Sequence, residues 1–196
     1  MATTYVSIAN LALVKLGQDT INLLTEENAR ARAINAVYEH VRDGLLREHR
    51  WNFAMSRAEL TQNATDPLFG WGKSFALPGD FIRMIRMEAL GTDYRVEGGN
   101  LITDASTSKI VYVKQVTDPN LFDSSFIYAY AYRLAADVAV TLTGDAQKAQ
   151  GMEQLYRDVM AEAKYIDAVE KSVVELEPME FIESRVSAEP YRKISS

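Results

Sequence analysis

The side chains best suited to move protons near neutral pH are the two histidines, His40 and His49, nine residues apart in one helical pattern. Neither has an acidic or histidine companion four residues away, the spacing with which H-E-x-x-H presents metal ligands on one helix face. Both are expected to be structural. Glu26 and Glu27 offer adjacent carboxyls, the groups a glycosidase attacking the cell wall would need. Neighbouring helix positions diverge in direction, however, and acids suit the positive end of a helix dipole, so a helix start is the better account. Gly70-Trp71-Gly72-Lys73-Ser74 matches the end of a phosphate-binding loop, but Pro67 stands where the first glycine is required. That leaves a loop with a packed or interfacial Trp71. Gly98-Gly99 lacks dinucleotide-binding spacing and should be a tight turn. There is no G-x-S-x-G elbow, and two histidines on one helix are poorly placed for a hydrolase triad. The absence of cysteine excludes disulfides, thiolate metal sites and a cysteine nucleophile. No catalytic, metal-ligating or cofactor-binding residue is predicted. Recognition remains: Arg83 and Arg86 in one strand pattern, with Arg30, Arg32, Arg42, Arg47 and Arg50 around the long helix, are candidates for interface contacts or for solvated faces.

The elements carrying these residues predict an α+β fold that is mainly α. It consists of an antiparallel bundle of N- and C-terminal helices, a small inserted antiparallel β-sheet and an extended C-terminal tail. Ile8, Leu11, Ala12 and Leu16 recur at helical spacing before Gly17, which predicts a helix over 4–16. Thr25 as N-cap and the stripe Ile34, Val37, Tyr38, Val41 and Leu45 predict a second helix over 26–49. Between Trp51 and Val116 short apolar runs alternate with turn residues, so the inserted sheet spans 51–116. Its expected strands are 51–60, 81–88, 94–96, 101–103 and 109–116. Trp51, Phe53 and Met55 would share one face of the first strand. Lys109-Ile110-Val111-Tyr112-Val113 is apolar on both faces, which implies cover by the helices and by a neighbouring subunit. Helical spacing returns over 124–142 and 146–169, joined at Thr143-Gly144-Asp145 by a glycine stop followed by an aspartate cap.

Residues 1–170 thus make one domain, and 171–196 a tail where the apolar stripe fails. The tail holds five glutamates, yet Phe181, Ile182 and Tyr191 among its apolar residues suit it to docking on its own domain or a partner. A formal charge of −6 with pI near 5.0 argues against a protein that grips nucleic acid by releasing phosphate counterions. No uninterrupted apolar run reaches the ~18 residues of a membrane span, and no basic region precedes an N-terminal apolar stretch, so a soluble, unprocessed chain is expected.

Taken in order, several of these patterns resemble the head-to-tail adaptor family of tailed bacteriophages, of the tail tubular protein A type. The residues concerned are Ile8-Ala9-Asn10-Leu11-Ala12-Leu13 with Leu16-Gly17, Arg50-Trp51-Asn52-Phe53-Ala54, Leu77-Pro78-Gly79-Asp80-Phe81-Ile82-Arg83 and Tyr94-Arg95-Val96-Glu97-Gly98-Gly99-Asn100-Leu101-Ile102. Leu134-Ala135-Ala136, the Thr143-Gly144-Asp145 hairpin and the helix end at 163–167 complete the set, which covers about residues 4–170. The resemblance implies a structural virion protein without enzymatic activity, made in the bacterial host cytoplasm and placed at the head–tail interface. It implies a ring, commonly of twelve copies, between the portal protein and the tail nozzle protein, with DNA passing the lumen unbound and no membrane partner. Such a ring is built from heterologous contacts between two different faces of each subunit. The expected contact residues for the portal or a neighbouring subunit are Phe181, Ile182, Tyr191, Arg83, Arg86 and Trp71. Two other functions compete: a virion-associated peptidoglycan-degrading enzyme, which needs two carboxyls converging across a cleft, and a non-viral helical interaction module.

Overall fold

The computed structural model describes residues 3–88 and 92–170. The predicted tail at 171–196, with Phe181, Ile182 and Tyr191, lies outside the described residues.

Local capping chemistry sets most helix ends. Helix α1 (Tyr5–Lys15) starts with a capping box: the Thr4 hydroxyl accepts the Ser7 N–H at 3.0 Å, and Ser7 Oγ accepts the Thr4 N–H at 2.9 Å. It stops at Gly17, whose φ of 71° lets Gly17 and Gln18 return N–H bonds to Val14 and Leu13. Asn10 then ties the following loop to the helix, bonding both the N–H (2.8 Å) and the carbonyl (2.9 Å) of Ile21. Helix α2 (Ala29–Glu48) begins three residues later than expected, with Asn28 rather than Thr25 as cap. The acid pair does not enter the helix. Glu26 turns back instead, accepting the N–H groups of Asn22 (2.6 Å) and Leu23 (3.0 Å) and the Asn28 side-chain amide (2.7 Å). The Asn22 and Leu23 backbone donors hold its carboxyl below the usual range. Helix α3 (Ser124–Thr143), capped by Asp123, ends at Gly144 with φ 70°, and Asp145 opens helix α4 (Ala146–Glu170) by accepting the Gln147 and Lys148 N–H groups.

Helix α3 is the centre of the helical layer and packs against α1, α2 and α4. Its buried Ala129, Ala131, Ala135 and Ala139 let those helices approach closely, while Phe126, Tyr130 and Leu134 fill the core. Tyr130 is fully buried and donates to the Tyr38 carbonyl on α2; Tyr156 of α4 donates to Glu48. Burial first, then nearby tyrosine and acidic groups, push both phenols well above 10.0. Because their folded pKa values exceed the unfolded ones, the stability these phenols contribute is complete below about pH 10 and lost as pH rises further. Of ten tyrosines, Tyr130 and Tyr156 should therefore ionise only together with alkaline unfolding. Titration of phenolate absorbance beside circular dichroism checks this; ionisation of every tyrosine while the helical signal persists would refute it.

The expectation of a helical bundle with one small inserted sheet is overturned. Among the described residues the fold is α+β with two three-stranded antiparallel sheets. The first has order β1 (Met55–Glu59), β6 (Lys109–Lys114), β3 (Phe81–Met87); the second has order β2 (Lys73–Ala76), β5 (Asn100–Thr103), β4 (Tyr94–Glu97). Strand β2 lies in what the sequence presents as the Trp71 loop. It has one large apolar side chain, Phe75, and is held by pairing with β5 and by the Asn63 N–H bonded to the Ser74 carbonyl at 2.8 Å. The chain leaves the first sheet after β1 and meets the edge of the second, where Gln62 bridges Phe75. Gly98 and Gly99, with φ of 56° and 77°, make the two-residue β4–β5 turn.

A second core lies between the two sheets, built on Leu60, Phe75, Met87, Leu101, Ile110 and Tyr112. Strand β6 is thus apolar on both faces because Val113 points to the helices while Ile110 and Tyr112 point to the other sheet. Its second cover is this chain, not the neighbouring subunit expected from the sequence. Strand β3 solves a related problem. Phe81, Met84 and Met87 face the second core and Ile82 and Ile85 the helices, a period of three that a regular strand cannot present. Register shifts between Phe81 and Arg83, and between Met84 and Arg86, supply the extra residues.

The helix-to-sheet junction also departs from expectation. Asn52–Ala54 form a 3₁₀ turn, so Trp51 and Phe53 do not alternate along a strand with Met55. Both rings still meet Phe126, at centroid separations of 5.1 and 5.2 Å, because the turn swings Phe53 back beneath the helices.

Candidate interaction surfaces

Three regions bear on recognition. The first is the loop before β2, which reaches out from a pinned stem. Asn63 Nδ2 donates to Ser74 Oγ (2.8 Å) and Asn100 Oδ1 (2.9 Å) at one end, and the Gly72 N–H donates to Asp104 Oδ1 (2.6 Å) at the other. Between these anchors Leu68 and Phe69 are 96% and 87% exposed. Trp71 lies half-buried at their base, where residues 67–71 with Arg95, Glu97 and Ile102 enclose an open cavity of about 500 Å³. Two large apolar side chains fully in water on an anchored loop form a docking knob. Their types were visible in the sequence, between Pro67 and Gly70. Their exposure was not.

The second is a groove of about 380 Å³ among α2, α3 and α4, with Val41, Gly44, Glu48, Arg133, Asp137 and Tyr156 in its lining. Arg133 sits between Asp137 (3.3 Å) and Glu153 (2.9 Å) and lies 5.6 Å from the Tyr156 ring centroid. Glu48 takes the Tyr156 hydroxyl and pairs with Lys164 at 3.4 Å. Burial lifts the Asp137 carboxyl against the pull of Arg133, and Glu153 adds to the lift. Every carboxylate named here already has a hydroxyl or cation partner, so the arrangement braces three helices. His40 lines this groove, and His49 stacks edge-on to Trp51 at 5.0 Å.

The third surface separates the arginines. Arg42 is buried, bonded to Asp43 (2.8 Å) and to the Tyr5 hydroxyl (3.2 Å), which itself donates to the Thr117 carbonyl. Burial alone would lower its pKa, but Asp43 and Tyr5 raise it above the ordinary arginine value, so it is a structural cation and not the contact residue it was a candidate for. Arg30 pairs with Asp19 at 3.3 Å. Arg83 behaves differently. It comes beside Arg47 and Arg50 at the end of α2, and Arg47 Nη1 donates to the Ile82 carbonyl at 2.7 Å. Burial first, then the charges of Arg50 and Arg47, lower the Arg83 pKa, and its buried Nε lacks a hydrogen-bond partner. Arg86, one bulge further along β3, pairs with Glu88 at 2.9 Å.

Among the described residues, no helix is long and apolar enough to cross a membrane, and no group of three or more histidine or acidic side chains is arranged to hold a metal ion. Neither a scan of protein-family models nor a search of curated proteins gives a match to this chain.

Proposed function

We propose that this protein is a structural head-to-tail adaptor, forming a ring between a portal protein and a tail nozzle protein through which DNA passes. The observation that carries the reading is the Leu68–Phe69 knob, projecting from the sheet end of a domain whose helices present a different face, a groove that mixes Val37, Val41 and Leu45 with the paired Glu48, Arg133 and Asp137. A subunit with two chemically unlike faces suits a closed ring capped by two different partners, whereas a two-fold dimer needs one self-complementary patch. In this reading the helical layer packs side by side around the ring and the two sheets face the nozzle. The order of the motifs from the first helix to the α3–α4 hairpin supports it further, and three of them form joints between elements: Asn10 on Ile21, Trp51 under α2 and α3, Gly98-Gly99 between β4 and β5.

Electron micrographs of the protein mixed with its portal test the proposal. Rings seated on portal particles are the expected result. Portal particles left bare at micromolar adaptor, by a chain that is folded and monodisperse, would overturn it.

A further inference from the structure

Among the described residues, no carboxylate neutralises the arginines at the end of α2. Arg47 and Arg50 are exposed there and Arg83 is half-buried beside them; no carboxylate among the described residues pairs with Arg50 or Arg83. Arg57 and Arg86 extend the same sheet face. Both stand opposite Val111, as Met55 and Arg83 stand opposite Val113, so the four project to the side on which the helices pack. Guanidinium groups brought together in an acidic chain, one with a buried Nε unsatisfied, repel each other unless something negative sits among them.

We infer that this arginine surface is a binding site for carboxylates, and that its occupant is the glutamate-rich stretch at 175–183 of the same chain. The stretch carries Glu175, Glu177, Glu180 and Glu183, and no lysine or arginine stands between residues 172 and 184. It is also within reach. Lys164 of α4 pairs with Glu48, the last residue of α2 and the neighbour of Arg47. From there α4 runs six residues to Glu170, about 9 Å of helix, and Glu175 follows within about 18 Å of extended chain. Planar guanidinium forks match carboxylates bidentately, which favours an all-arginine surface over lysines for this task. The same fork matches phosphate, so nucleic acid is the rival occupant. The acidic charge of the whole chain, −6, weighs against it.

The chain has no cysteine, so Ser184→Cys places a single fluorescent label on the full-length protein. Time-resolved anisotropy then separates a label that tumbles with the domain from one that moves alone. Expected is a docked population at low salt, independent of protein concentration, that falls in about 1 M salt, where screening shortens to about 3 Å. Arg50→Ala with Arg83→Ala should weaken docking by about tenfold or more, and Glu→Gln at the four glutamates should do the same. The two sets combined should cost no more than either alone. The Glu→Gln set changes nothing in the described cores, so it decides the matter even if the arginine variant melts early. A label that moves freely in the unsubstituted protein, or docking that depends on concentration, overturns the assignment. So does a labelled DNA duplex that binds with the arginine dependence while the Glu→Gln set leaves the anisotropy of the label unchanged.

Discussion

Trp51→Ala should destabilise the protein by about 3–5 kcal/mol, the range for removing a fully buried large aromatic. The ring is 2% exposed, meets Phe126 edge-on at 5.1 Å and His49 at 5.0 Å, and donates from Nε1 to the Leu45 carbonyl at 3.0 Å. Its loss opens a cavity where α2, α3 and the 3₁₀ turn converge and leaves that carbonyl with only the longer bond from the His49 N–H, at 3.4 Å. Against a total stability of about 5–15 kcal/mol, the change removes a large fraction, and for a chain of this size the melting temperature should fall by roughly 6–20 °C. Trp51→Phe keeps much of the volume but removes the shorter of the two hydrogen bonds to that carbonyl, at about 0.5–1.5 kcal/mol. Calorimetry on the three proteins gives the order. An alanine variant that melts like the parent yet fails to assemble would mean that Trp51 is a contact residue and not a core one.

Leu68→Asp with Phe69→Asp should do the reverse. Both side chains are almost wholly in water and make no part of either core, so stability should change by about 0.5 kcal/mol or less. If the knob seats in a partner, each anchor contributes about 2 kcal/mol or more, and the double variant should weaken assembly by at least about a thousandfold. Co-sedimentation with portal, then with nozzle, shows which partner the loop serves. Assembly at parental affinity on both would remove the knob from the contact surface and with it the observation on which the adaptor proposal rests.

These two sites differ in how far they could be read in advance. Trp51 was legible as core, because an aromatic-rich run directly after an amphipathic helix has to be covered by that helix. Leu68 and Phe69 had only a turn-rich setting, which does not distinguish an outward loop from one folded onto the sheet. The arginines were legible as a group and misleading as individuals: Arg42 turned out to be buried with Asp43 and Tyr5, while Arg83 met Arg47 and Arg50 from another element. Sequence distance hides such meetings, since residues 47 and 83 are neighbours only through the fold.

Helix limits at Thr4, Gly17, Asp123 and Gly144-Asp145 followed from the residues themselves, because a cap is a hydrogen bond across three or four positions and a glycine stop needs only its own φ. Where two caps competed, as Thr25 and Asn28 did, the choice fell to Glu26, whose carboxylate found nearer backbone donors outside the helix. The division of the strands into two sheets, the bulges that give β3 its three-residue period and the second core between the sheets had no such local cause. Strand pairing joins segments dozens of residues apart, and a four-residue strand such as β2 acquires its identity from the edge it pairs with rather than from its own side chains. The unbroken apolar run of β6 announced that both of its faces would be covered; which chain would cover the second face was decided only when the other sheet folded over it.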